Sequence, residues 1–170
     1  TYQGTSDEAA PVTMKVTYYL DGKEISADQL AGKSGKVKIR FDYTNNLKKT
    51  ITVNGKSKQA YVPFTMITGM MLPNDNFSNV EVTNGRVVEA SDSNVVVGIT
   101  MPGLKDSLNI SFDGKKADLD IPEYFEVSAD VTDFSLDMTL SVATSNLLTD
   151  ANLDDINLND LNSQINTLSD

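Results

Sequence analysis

The chain has 170 residues, enough for one sandwich-sized domain with a buried core. It contains no histidine, cysteine or tryptophan, which removes Ser-His-Asp and Cys-His catalysis, thiolate nucleophiles, disulfides and the usual nitrogen and sulfur zinc sites. The net charge of −10 is unevenly spread: all 14 basic residues lie at or before Lys116 beside 12 of the 24 acids, so residues 117–170 carry 12 acids and no base, which disfavours nucleic acid and anionic membrane as partners.

Residues 1–11 are small and polar without periodicity and read as a flexible lead-in. The absence of a start methionine or leader reads as the interior of a longer protein. From there Val12, Met14, Val16, Tyr18 and Leu20 fall on alternate residues, the pattern of a half-buried strand. Asp21-Gly22 suits a tight hairpin turn, after which Lys23 to Ile25 pairs back. Ser26 and Gln29 have capping-box spacing, predicting one helical turn that carries Leu30 into the core. The strand through Val37, Ile39, Phe41 and Tyr43 follows. Between these elements, Gly32-Lys33-Ser34 has the look of a phosphate-binding loop. That motif needs an earlier glycine, where Ala27 stands, and a helix after it, where a strand stands, so the tripeptide reads as a turn.

Thr50 to Val53 leads into Asn54-Gly55, a second hairpin signal. Tyr61 to Leu72 is almost continuously apolar and predicts a strand buried on both faces, with a bulge or edge position at Pro63. Val80 and Val82, Asn84-Gly85, and Val87-Val88 predict a third hairpin, and Val95 to Met101 a further strand ended by Pro102-Gly103. Alternation resumes at Leu108, Ile110 and Phe112, at Val127, Ala129 and Val131, and at Phe134, Leu136, Met138, Leu140 and Val142. In this last stretch Ser135, Asp137, Thr139 and Ser141 make the opposite face wholly polar, so the polar side reads as solvated. The expected fold is all-β: an antiparallel sandwich over residues 12–143, with an immunoglobulin-like arrangement as one option, and a linker with a short helical stem over 144–170. In that stem Leu158, Leu161, Ile165 and Leu168 stand at spacings of 3, 4 and 3, one helical stripe. The stripe serves either packing back on the sandwich or oligomerisation as the start of a coiled coil.

No residue qualifies as catalytic and none as a cofactor ligand. Asp150, Asn152 and Asp154 begin like a calcium loop, but Asp155 and Leu161 stand where the glycine and bidentate glutamate belong. Asn74, Asp75, Asn76 and Asn79 form a looser calcium candidate, set against the ordinary use of such residues in turns. Tyr18, Tyr19, Tyr43, Tyr61 and Tyr124 are candidates for a sugar-stacking platform. Paired carboxylates can be found among 24 acids in any fold and identify no hydrolase by themselves.

At YYLDGKEISADQLAGKSGKVKIRFDYTNN, VPFTMITGMMLPND, FSNVEVTNGRVV and DVTDFSLDMTLSVATSNLL, the chain resembles a family of β-rich extracytoplasmic domains. These occur in membrane-anchored surface proteins of Gram-positive bacteria, especially clostridia-like Firmicutes. The resemblance spans roughly Val12 to Leu148. It implies a β-rich module at the cell surface followed by leucine heptad repeats and a membrane anchor, and it favours coiled coil for the stripe. It brings no catalytic residues with it. The expected function is a non-catalytic structural or protein-interaction module, with a protein partner or self-association through the stem and no cofactor. A carbohydrate- or ligand-binding surface module is the alternative, and a carboxylate-dependent hydrolase a more distant one.

Overall fold

Alternating apolar residues become strands throughout the computed structural model, which describes residues 9–53, 55–108, 111–112, 115–116, 120–136 and 138–145. The elements in order are β1 (Val12–Leu20), β2 (Lys23–Ile25), α1 (Ala27–Leu30), β3 (Gly35–Asn45), β4 (Lys48–Val53), β5 (Lys56–Tyr61), β6 (Thr65–Pro73) and β7 (Phe77–Thr83). They continue with β8 (Gly85–Glu89), β9 (Ser93–Thr100), α2 (Leu104–Leu108), β10 (Ser111–Phe112), β11 (Lys115–Lys116), β12 (Tyr124–Val131) and β13 (Met138–Thr144). One antiparallel sheet has the order β2-β1-β3-β12-β7 and a second has the order β13-β6-β9-β8. Two short ribbons, β4-β5 and β10-β11, complete the described strands.

The two larger sheets pack face to face, as an antiparallel β-sandwich. Val37, Ile39, Phe41 and Tyr43 of β3 and Phe125, Val127, Ala129 and Val131 of β12 enter the core from one side. Met66, Met70 and Leu72 of β6 and Val96 of β9 enter from the other. Phe41 and Phe125 lie with ring centroids 5.6 Å apart. The Phe125 ring reaches the opposite sheet where Gly85 and Gly98 are cross-strand partners. A Cβ on Gly85 would stand 2.7 Å from Phe125 Cε2, and one on Gly98 would run into the ring itself. The glycine pair is therefore the slot that lets the sheets close over an aromatic side chain.

Local signals set the corners. Asp21 and Gly22 have φ of 50° and 80°, the left-handed pair that a two-residue hairpin between Leu20 and Lys23 needs. Ser26 Oγ caps α1 by accepting from Gln29 N at 3.4 Å, and Leu30 is fully buried. The Gly32 to Ser34 turn is stitched to the connection after β12. Gly32 N donates to Phe134 O (2.9 Å), Phe134 N donates to Lys33 O (2.8 Å), and Asp133 N donates to Ser34 Oγ (3.0 Å). This sets Phe134 against Tyr18 and Phe77, at 6.5 and 5.9 Å between ring centroids.

Three expectations are corrected. Asn84-Gly85 is not a hairpin turn: β7 belongs to the five-stranded sheet and β8 to the four-stranded one, so the chain crosses the sandwich there. Asn84, at φ 60°, holds the crossing by donating from Nδ2 to Tyr124 O (2.8 Å) and accepting from Ile99 N (3.2 Å). Leu108 closes helix α2 rather than opening a strand. The long alternating stretch from Phe134 is not one strand: Phe134 is buried ahead of β13, which starts at Met138. The stripe Leu158, Leu161, Ile165 and Leu168 and the Asp150 to Asp154 spacing lie outside the described residues.

Candidate functional site

Strand register puts Lys38, Arg40 and Asp42 of β3 and Tyr124 and Glu126 of β12 on the solvent face of the five-stranded sheet. There Arg40 Nε donates to both Asp42 oxygens at 3.0 Å, and Arg40 also reaches Glu126 at 3.6 Å. Its guanidinium lies 3.9 Å above the Tyr124 ring centroid, and Lys38 Nζ sits 2.9 Å from Glu126. The hydrogen bond to Asp42 is the main cause that holds the Arg40 guanidinium above its ordinary range, against a smaller opposing effect of burial. Each cation thus has a carboxylate, and the cluster closes on itself. Part-exposed pairs of this kind contribute about 0–1 kcal/mol each.

A polar layer runs inside the rim of the sandwich. The Tyr43 hydroxyl, almost buried, bonds Thr68 Oγ1, which lies 2.9 Å from Ser141 Oγ. Ser141 in turn donates to Met14 Sδ at 3.5 Å. Asn45 Nδ2 donates to Val62 O (2.7 Å) and Pro102 O (3.1 Å), while its Oδ1 accepts from Leu47 N (3.0 Å). These contacts tie strands together. An open groove of about 500 Å³ lies beside β1, β2 and α1, with a mixed lining that includes Lys15, Tyr18, Glu24 and Ile25.

The amides of the calcium candidates Asn74, Asn76 and Asn79 are engaged with different neighbours. Asn74 Nδ2 donates to Ala90 O and Ser91 O, both at 3.3 Å, and its Oδ1 accepts from Asn94 at 2.9 Å. Asn76 Nδ2 donates to Thr132 O (3.0 Å) and Asp133 O (3.1 Å), on a different connection. Asn79, at φ 50° beside a register shift in β7, donates to Asp130 Oδ2 at 2.7 Å. Their amides serve as cross-links between loops. Among the described residues no group of three or more acidic side chains could hold a metal ion. The candidate tyrosines are dispersed too. Tyr43 is inside, Tyr124 lies under Arg40, Tyr18 packs on Phe134, and Tyr61 carries Lys48 Nζ 4.3 Å above its ring.

The surface that sequence reasoning missed is the outer face of the four-stranded sheet. On β13, Met138, Leu140 and Val142 point outward and are 58, 58 and 47% exposed. They pair across to Met71, Gly69 and Ile67 of β6, of which Met71 and Ile67 are 42 and 37% exposed. Val95, Val97 and Ile99 of β9 continue the same face, half-buried, and Val88 of β8 adds 56% exposure opposite Val95. Arg86, opposite Val97, is the one charged side chain at these positions. The signal was present in the unbroken apolarity of Tyr61 to Leu72, which predicts burial on both faces. Only one of those faces is covered among the described residues.

The fold is thus an antiparallel β-sandwich with one charged and one apolar outer face. No family model matches the chain, and no curated protein or solved structure is significantly similar to it. No helix among the described residues is long and apolar enough to cross a membrane.

Proposed function

We propose that this domain is a non-catalytic structural and protein-interaction module of a membrane-anchored protein on a Gram-positive bacterial surface, working through the apolar outer face of its four-stranded sheet. That face carries the reading. A soluble domain rarely leaves a contiguous apolar patch larger than a few hundred Å² in water, and larger ones mark interaction sites. Four adjacent strands contribute to this one, with exposures of up to 58%. A protein partner suits it better than a sugar, because the outward positions of this sheet offer almost no side-chain hydrogen-bonding groups and carry no tyrosine.

The non-catalytic part of the reading is supported by the closed charge cluster, in which Asp42 and Glu126 are already held by Arg40 and Lys38. The surface location is supported by the sequence resemblance from Val12 to Leu148. In this reading the stripe Leu158, Leu161, Ile165 and Leu168 adds a self-associating stem, and membrane attachment belongs to segments outside residues 1–170.

The test is a photo-crosslinking amino acid placed at Leu140 on the apolar face and, separately, at Glu81 on the charged face, in cells producing the protein. Protein adducts should form from position 140 and not from 81. Equal yields, or none from 140, would remove the reading.

A further inference from the structure

We infer that the partner seated on this face is a second copy of the same chain, packed sheet against sheet about a two-fold axis that runs parallel to the strands. The inference rests on the interaction reading above and names its partner.

The shape and size of the face come first. It spans four strands at a spacing of ~4.8 Å, some 15–20 Å across, and its side chains are mainly β-branched and flat. A single helix is only ~10–12 Å wide with its side chains, so one helical segment of the chain's own tail would cover about half of it. The tail also matches the face poorly in charge: residues 146–170 hold five aspartates and no base, set against a face without acids. A second sheet, stacked at ~10 Å, covers the whole width.

Charge points the same way. The chain carries a net −10, which opposes self-association in general. At the outward positions, however, the strands carry no acid, and Arg86 alone is charged, at the β8 edge. The repulsion is thus excluded from the one surface where two copies would meet. The core of the patch, around Ile67, Met71, Val97 and Leu140, has the charge-depleted composition of a self-complementary interface.

The exit of the chain adds an independent constraint. Rotation about an axis parallel to the strands preserves strand direction, so both copies of β13 run the same way and both chains leave at the same end after Thr144. Because β13 is an edge strand, the two exits lie on opposite edges of that shared end. The stripe at Leu158, Leu161, Ile165 and Leu168 has the spacing that a parallel helical pair requires. One symmetry operator therefore provides a partner for the face and for the stripe.

The experiment uses the full 170-residue chain. Sedimentation velocity is run from micromolar to millimolar concentration, with methionine oxidation read residue by residue in the same samples. Met71 and Met138 lie on the face, while Met14, 47% exposed, lies on the other sheet and serves as control. The expected result is a concentration-dependent dimer in which Met71 and Met138 become protected and Met14 does not. Leu140→Lys, at an exposed position and with its fold checked by circular dichroism, should weaken the dimer about tenfold or more. Leu161→Asp should leave the protection of Met71 in place. A chain that stays monomeric overturns the inference. If Met71 and Met138 then oxidise as fast as Met14, the face is free and the interaction reading survives with another partner. If they are protected in that monomer, the chain's own residues cover the face and both readings fall.

Discussion

The two outer faces of this sandwich differ more than their sequences suggest. On the five-stranded sheet the outward positions of β3 and β12 hold Lys38, Arg40, Asp42 and Glu126, which pair with one another and meet water. On the four-stranded sheet the outward positions of β13 and β6 hold Leu140, Val142, Ile67 and Met71. Both β3 and β13 alternate strictly, yet β3 turns its apolar side inward and β13 turns it outward. The cause lies in Tyr43. Its hydroxyl is carried into the rim of the sandwich with the rest of β3 and needs partners there. Thr68 of β6 supplies one, and Ser141 of β13 completes the group. Capturing Ser141 fixes the register of β13, and because the side-chain period is two, Leu140 and Val142 then face out.

The comparison can be broken most forcefully at the seam between the sheets. Phe125→Ala should cost about 3–5 kcal/mol, and Gly98→Val a comparable amount by pushing the ring out of its slot. Chemical denaturation measures both. If either variant lost less than about 1 kcal/mol, the sheets would not be closed over Phe125 as described.

Tyr43→Phe probes the polar layer that orients β13. Thr68 and Ser141 remain bonded to each other, so the loss should be about 1 kcal/mol. Replacing Tyr43 and Ser141 together should cost less than the two single changes added, since they share one network. Thr100 is a test of the opposite sign: its hydroxyl is buried and has no hydrogen-bond partner among the described residues. Thr100→Val should therefore raise stability by about 1 kcal/mol, seen as a higher denaturation midpoint at unchanged slope. The smallest effect belongs to the charged face. Arg40→Met should cost no more than about 1 kcal/mol, with the difference shrinking at high salt. A larger, salt-insensitive loss would mean that the cluster holds the sheet together rather than merely solvating it.

Much of the architecture was legible in the sequence for physical reasons that act locally. Two left-handed residues at Asp21-Gly22 permit one kind of hairpin, and a serine three residues before Gln29 caps a single turn. Alternation in β1, β3 and β12 gave both strand and buried side correctly. The errors came where the outcome depends on residues distant in sequence. Asn84-Gly85 carries the local chemistry of a hairpin, but Asn84 is claimed by Tyr124 and Ile99, forty and fifteen residues away, and becomes a crossing. Alternation reports that the two sides of a strand differ, not which side faces in, and in β13 the choice was made by Tyr43, almost a hundred residues earlier. The cross-links that the amides of Asn74 and Asn76 make to carbonyls on other loops are likewise invisible in a linear reading.

The apolar face exists only if β13 presents Leu140 and Val142 to solvent. Because the chain has no cysteine, single cysteines can be placed at Leu140, Val142 and Ser141 and their rates of reaction with a thiol reagent compared in dilute, folded protein. Leu140→Cys and Val142→Cys should react many times faster than Ser141→Cys, which sits against Thr68 and Met14. Fast reaction at 141 with protection at 140 and 142 would show that the apolar side of β13 faces inward, and the interaction surface described above would not exist.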